Sequence, residues 1–268
     1  MCDAAIKNPY HHCAWDIGFL AQNPVIRSKA FGVSEKAKSV RYPIRMLRYW
    51  FGFHLLREEN IARSRPLDVV EIGIDRGQML AFAKSAVDMG QKLEWKSWTG
   101  VDPILQSQKL AQSGYDDVLE GDLEKEFRLD RSYDAAVLLH VLEHLFDPEA
   151  AMKKVAACLR PGGVVIGGFP VVPEFCRKLR QAHVRKRARP MGHVSVFSPK
   201  RVAAMGAQAG LETEFLAGAF FMRSKGSRLE NSPAWMRFNL RFGARFPSWP
   251  GEVYWLMRKT DTSAANSG

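Results

Sequence analysis

From residue 67 the chain alternates short runs of β-branched and apolar residues with helix-spaced stretches. LDVVEIG (67–73) is a near-continuous apolar run and predicts a buried strand, and the segment from residue 78 to 89 predicts the helix that follows it. WKSWTGVD (95–102), a short run within YDDVLEGD (115–122), YDAAVLLH (133–140) and VVIGGF (164–169) supply four more strands. PEAAMKKVAACL (148–159) is amphipathic at helical spacing and starts on a proline, and Pro161-Gly162-Gly163 marks a turn. A helix over 199–209, a strand over 211–218 and an alternating final run over 252–259, expected as an edge strand, complete the pattern. Strands separated by helices predict βαβ units, hence a mostly parallel sheet with right-handed crossovers.

The first 66 residues follow another rhythm. Ile44, Leu47, Phe51 and Leu55 recur at steps of three and four, which predicts a helix over 43–63 that begins at Pro43 and is closed by Pro66. The tail 261–268 is small and polar and is expected to fray. The organisation expected is a basic helical cap or lid over 1–66, one domain over 67–260 with insertions at about 171–191 and 219–251, and a flexible tail over 261–268.

Composition narrows the class. In 268 residues, 46% are hydrophobic and 25% charged, enough for a sizeable core without disulfides. Cys2, Cys13, Cys158 and Cys176 are scattered and form no C-x-x-C pair, so they read as thiols of a reducing compartment. No apolar run is long enough for a spanning helix and no secretory signal opens the chain, so a cytoplasmic location is expected. The net charge of +11 is unevenly spread: +6 over 1–66, −6 over 67–170 and +11 over 171–268. Two basic arms flank an acidic centre, a pattern that attracts phosphates, nucleic acid or anionic lipid, or that serves only solubility.

The acidic centre holds the chemistry. Glu71-Ile72-Gly73-Ile74-Asp75-Arg76-Gly77 joins the first strand to its helix, and glycine there allows a tight turn and close approach to a ligand. Asp75 stands where a dinucleotide fingerprint has its second glycine, and its charge opposes a pyrophosphate. Asp102 ends the second strand, where a carboxylate can accept both ribose hydroxyls. Asp122 ends the third, where it can accept an exocyclic amine of adenine beside the N–H of Leu123. Taken singly, Asp102 can also be a turn residue and Asp122 a helix cap. Acidic side chains at successive carboxyl ends mark the ligand edge of an open parallel sheet.

These residues resemble the class I S-adenosylmethionine-dependent methyltransferases, in particular the small-molecule, ubiquinone-type O-methyltransferase branch. EIGIDRG (71–77), GVD (100–102), EGD (120–122), VLLHVLEHL (137–145), LRPGGVVIGGFP (159–170) and GHVSVFSPKRVAAMGAQAGLE (192–212) carry the likeness in order. The resemblance implies a Rossmann-like fold: a mostly parallel seven-stranded sheet with helices on both faces, an N-terminal helical cap, and insertions after strands five and six. It implies S-adenosylmethionine as cofactor and S-adenosylhomocysteine as product. Glu71 would lie near the methionine end, Gly73 and Gly77 under the cofactor, Asp102 on the ribose, Asp122 and Leu123 by adenine, and His140 at the cofactor site. Asp75 departs from the family's usual glycine and could tighten the loop or bond the methionine ammonium.

The acceptor side is less defined. A hydroxyl acceptor loses a proton during methyl transfer, and His144 and His193 are the candidate bases. Alternatively His140, Glu143, His144 and His193 could hold one divalent ion, a pattern that resembles small-RNA 2′-O-methyltransferases except that His140 replaces glutamate. RKLRQAHVRKRAR (177–189) holds seven Lys and Arg side chains and no acid, and reads as a phosphate clamp or a solvated face. Arginines mixed with aromatics over 43–63 and 235–249 suit a lid over the site or a membrane interface. The function expected is O-methylation of a small molecule or a glycan or lipid-linked acceptor, possible phosphate included, with peripheral membrane contact open. RNA methylation and a non-catalytic binding protein are the alternatives; the pattern leaves the oligomeric state open.

Overall fold

The computed structural model describes residues 8–28, 31, 34–105, 114–189 and 192–260. The tail 261–268 and Cys2 lie outside the described residues. Seven strands form one sheet: β1 (Leu67–Ile72), β2 (Trp95–Asp102), β3 (Asp117–Glu120), β4 (Tyr133–Leu139), β5 (Leu159–Val171), β6 (Leu211–Gly218) and β7 (Gly251–Lys259). Their order is β3-β2-β1-β4-β5-β7-β6. The first five are parallel, and β7 runs antiparallel to both β5 and β6. The expected mostly parallel sheet is therefore present.

One expectation fails here. Residues 252–259 do not form an edge strand: β7 sits between β5 and β6, and the edge is β6. Every residue from Glu252 to Met257 is buried, because helices cover both faces of this strand. Its alternation of type reflects two buried faces of different chemistry, not one wet face. The room for it comes from β5, whose Gly167 and Gly168 face Trp255 and Tyr254 across the ladder. A Cβ at Gly167 would overlap the Trp255 ring.

The turn expected at Pro161–Gly163 is instead a bulge inside β5. Tyr133 pairs with Leu159 and Ala135 with Val164, so β4 advances two residues while β5 advances five.

Six longer helices flank the sheet: α1 (Leu47–Arg63), α2 (Gln78–Asp88), α3 (Pro148–Ala157), α4 (Glu174–Lys186), α5 (Pro199–Gln208) and α6 (Pro233–Arg245). Three share one start signal. Asp147, Ser198 and Ser232 each accept a backbone N–H three residues on, and a proline follows each cap. The helix read over 43–63 divides into a 3-10 turn at Ile44–Met46 and α1.

The pleat sorts the strand residues into two cores. Val69, Ala135, Val137, Ile166, Tyr254 and Leu256 face one side, packed with Trp50, Phe51 and Phe53 of α1 and with α2 and α6. Val70, Ala136, Leu138, Val165, Trp255 and Met257 face the other, packed with α3 and α5. The α1 aromatics are thus interior residues, which removes this helix from the membrane-interface reading. Among the described residues no helix is long and apolar enough to cross a membrane.

Where the strands begin, Asp134 is fully buried and carries a cluster of cations. Arg65 grips it with two bonds of 2.7 and 2.9 Å, Arg160 lies at 2.9 Å, and the Asp68 N–H donates at 2.9 Å. Despite burial, these donors hold its carboxyl below the usual range. A depressed carboxylate stabilises the fold above its unfolded pKa, and that stability is lost as pH falls below about 4. Asp134→Ala leaves the Asp68 N–H without its acceptor while the partly exposed Arg65 and Arg160 turn to water, at an expected cost of about 1–3 kcal/mol. Urea unfolding at neutral pH measures it, and the gap between variant and parent should shrink in acid.

Candidate active site

The strand order turns back between β1 and β4, and a ligand crevice opens at such a point beyond the carboxyl ends. A cavity of about 300 Å³ occupies it. Glu71 comes from the end of β1, Gly73 and Asp75 from the β1–α2 turn, Leu139 and His140 from the end of β4, and His144 from the 3-10 turn Leu142–His144 that follows it. Arg45, Arg48 and Tyr49 come from the start of the α1 region, and His193 from the segment before α5.

Glu71 is buried, and one of its oxygens accepts the Trp98 indole N–H at 3.1 Å and the Tyr115 hydroxyl at 2.9 Å. Burial outweighs these bonds and pushes the carboxyl up to about 7. Such a group gains from a neighbouring cation, as an α-ammonium is. Arg45 and Arg48 on the same cavity wall suit a carboxylate. Gly73 has φ +77°, and a Cβ on it would strike Val141, so backbone alone fits there.

Asp75 adopts φ +46°, the left-handed geometry a glycine would take freely. Its N–H donates to Asp102 Oδ2 at 3.0 Å, and its carboxylate accepts the Gln78 amide at 2.9 Å. These bonds compensate the backbone strain, so the departure from glycine preserves the loop's shape. Asp102 also accepts the Ile104 N–H at 3.0 Å. Asp122 accepts the Glu124 N–H at 2.9 Å within a turn, and the helix it was expected to cap is absent: residues 121–130 hold only turns, bends and irregular chain. The Leu123 side chain is buried in the second core. Gly77, Asp102, Asp122 and Leu123 stand off the cavity wall, while Glu71, Gly73, Asp75, His140, His144 and His193 meet on it.

His140 has φ +59°, fixed by its N–H donating to Gly168 O at 2.8 Å. Its Nδ1 lies 3.1 Å from Glu143 Oε1 and its Nε2 3.7 Å from Glu252 Oε2. Burial, with Arg48 and Arg223 nearby, holds its pKa well below the ordinary value. Glu143 is buried and its carboxyl is raised by desolvation. The Glu143 carbonyl accepts the N–H groups of Val194 (2.8 Å) and Ser195 (3.0 Å), which pins the His193 segment beside it. His144 Nδ1 lies 3.1 Å from Gly192 O. A carbonyl only accepts, so Nδ1 carries a proton and, in the neutral ring, Nε2 holds the lone pair. The rings of His144 and His193 meet edge-on at 4.9 Å. Glu143, His144 and His193 each offer an atom within 4.8 Å of the others, and His140 is not in that group.

Sequence reasoning missed a third buried carboxylate at this edge. Glu252 opens β7, accepts the Tyr254 hydroxyl at 2.7 Å, pairs with Arg223, and lies 4.0 Å from Arg48. A lone acid in an apolar strand was the available signal. Glu230 holds the surrounding insertion in place: its carboxylate accepts the Ile44 N–H at 3.1 Å and the Gly226 N–H at 2.9 Å. The basic segment 177–189 is not on the cavity wall. Its Arg177 pairs with Glu174, and Arg185 reaches Phe146 O at 3.0 Å.

If Asp102 takes the ribose hydroxyls, Asp102→Ala removes two charge-assisted bonds, each contributing about 1.5–3 kcal/mol. The expected result is a loss of S-adenosylhomocysteine affinity of at least about tenfold in a folded protein, measured by calorimetry beside circular dichroism. Unchanged affinity would remove the ribose assignment.

A family profile described as methyltransferase domain matches residues 45–214. No curated protein matches the sequence. Among solved structures, the chain resembles the N-methyltransferase NodS from Bradyrhizobium japonicum in complex with S-adenosylhomocysteine, at 13% identity and TM-score 0.50, covering 83% of this chain and 94% of that one. It resembles the YcgJ protein from Bacillus subtilis at 17% identity and TM-score 0.51, covering 78% and 99%. The [4+2]-cyclase SpnF aligns at 14% identity and TM-score 0.53, covering 90% and 93%. Such distant likenesses show the fold and no substrate. With the family profile spanning more than half of the sequence, and a crevice whose donors suit the cofactor, the chain belongs to the S-adenosylmethionine-dependent methyltransferases of class I.

Proposed function

We propose that this methyltransferase acts on an oxygen of a small-molecule, glycan or lipid-linked acceptor that carries an anionic group. The cofactor supplies an electrophilic methyl group, and the chain's own residues bind, orient and deprotonate. The observation that carries the reading is the pair His144 and His193 on the cavity wall, with Arg45, Arg48 and Arg223 close by. Glu71 and Arg45 or Arg48 would hold the two charged ends of the methionine moiety, and Asp102 the ribose. Arg223 and the remaining arginine would draw an anionic acceptor inward.

A hydroxyl is a weak nucleophile until it loses its proton, and a positioned neutral imidazole can take it. Burial lowers the His193 pKa below 6.5, so the ring is neutral at pH 7. The buried Glu143 beside it favours the imidazolium formed once the proton arrives. His144 is held by Gly192 O in the tautomer whose Nε2 accepts. The second reading is a divalent ion on Glu143, His144 and His193, favoured by their mutual reach within 4.8 Å.

His193→Ala should lower kcat by about 10²–10⁴-fold with S-adenosylhomocysteine affinity kept. In the parent, kcat/KM should rise with pH on the acid side through an inflection below the ordinary histidine value, because protonated His193 cannot act as a base and burial lowers its pKa. Methyl transfer from labelled cofactor to a panel of hydroxylated anionic acceptors measures both. A chelator should leave the rate intact; loss of turnover restored by manganese or zinc would overturn the direct-base reading in favour of the second.

A further inference from the structure

The two insertions carry a surface that methyl transfer leaves unexplained. Residues 171–191 and 219–251 together hold thirteen Lys and Arg against two acids. Neither acid opposes an approaching anion. Glu230 is buried among backbone N–H groups and the Ser224 hydroxyl, and Glu174 is tied to Arg177 and Ser198.

On this basic ground stand large apolar side chains in water. Helix α4 buries none of its thirteen residues. Gln181, Arg177 and Arg185 turn toward the body through hydrogen bonds and the cleft they line with Arg201. The outer face keeps Phe175 at 85% and Leu179 at 79% exposure, flanked by exposed Lys178, Arg180 and Lys186. From the other insertion, Phe221, Phe238, Phe242 and Trp249 form a ring cluster, with Phe221 and Trp249 stacked at 5.6 Å. Phe246 and Trp249 are nearly half-exposed. An apolar groove lined by Pro173, Phe175, Phe246, Pro247 and Trp249, with Arg245, joins the two insertions into one surface.

We infer that this surface docks the enzyme on an anionic lipid bilayer, so that it meets a lipid-linked acceptor at the membrane face. Aromatic and aliphatic side chains set among lysines and arginines suit the headgroup layer, where rings enter the acyl boundary and cations meet anionic lipid. The surface shares an edge with the cavity: Val171 at the end of β5 pairs with Gly251, and the next residue is Glu252, beside His140. A second copy of the chain is disfavoured as occupant, because two such basic faces repel. Nucleic acid is disfavoured because exposed Leu179 and the prolines that line the groove beside Phe175, Phe246 and Trp249 offer bases neither a stacking face nor a hydrogen bond, whereas acyl chains accept them all. The inference narrows the proposed acceptor class and does not depend on the base assignment.

The test is co-sedimentation of the full chain with vesicles of phosphatidylglycerol and phosphatidylcholine in equal parts, or of phosphatidylcholine alone. Binding to the anionic vesicles should be at least about tenfold tighter and should weaken with salt. Phe175→Ser with Leu179→Ser should lose about tenfold, and Lys178→Gln with Arg180→Gln and Lys186→Gln about 100-fold at low salt, from about fivefold per charge. All these side chains are exposed, and S-adenosylhomocysteine binding should be unchanged in every variant, which certifies the fold and keeps a failed docking result separate from a failed assignment of the acceptor site. Equal binding to both vesicles, or unchanged binding by both variants, overturns the inference. So does single-stranded RNA that displaces the vesicles and is held equally well by the Phe175 and Leu179 variant, or a dimer in sedimentation velocity that this variant abolishes.

Discussion

Burying carboxylates at the carboxyl edge of a sheet is the constraint from which the site follows. A carboxylate removed from water must find a cation, hydrogen-bond donors or a proton. Glu71, Glu143 and Glu252 are each buried there, and each finds a different solution. Glu71 takes two side-chain donors and is pushed toward neutral pKa. Glu143 sits against His140 and beside two further histidines. Glu252 draws Arg223 and a tyrosine hydroxyl. Asp134, at the opposite end of β4, shows the contrasting case: three arginines approach it and its charge is secured. A fully compensated carboxylate stabilises a fold, whereas an under-compensated one retains the capacity to receive a ligand or a proton.

The placement of α1 and of the segment 219–251 follows from the same constraint. The α1 region supplies Arg48 to the cavity because its other face buries Trp50, Phe51 and Phe53 against the sheet. Glu230 links the insertion to Ile44, and Arg237 reaches the Trp15 carbonyl at 2.7 Å. The aromatic core therefore acts as the base on which the arginines of the site are aimed. A shift of α1 would move both cations and the Tyr49 wall together.

The two insertions divide their labour. The inward part of 219–251 reaches the site through Arg223, while the outward rings join α4 in a basic, apolar surface on the same sheet edge. Under the proposed docking, an enzyme whose acceptor sat at a membrane face would need both, and close together. The exposed face of α4 then has a physical reason for carrying Phe175 and Leu179 where a solvated helix would carry polar residues.

The sequence alone determined the strands and the parallel majority of the sheet, and it singled out the carboxyl edge as the place for a ligand. Period and burial are local signals, and Glu71, Gly73, Asp102 and Asp122 fall at strand ends that can be read in order. It also identified Asp75 as the departure from glycine. Tertiary structure decided the rest. Only chain reversal inserts β7 between β5 and β6, and only that brings Glu252 to His140 across more than a hundred residues. The bulge in β5 hid behind Pro161 and two glycines, since turn residues also serve bulges. The α1 aromatics read equally as lid, membrane contact or core, because a side chain's partner is set by packing and not by its own periodicity. The grouping of Glu143, His144 and His193 without His140 was likewise invisible, because distances between side chains on separate loops exist only once the chain has folded.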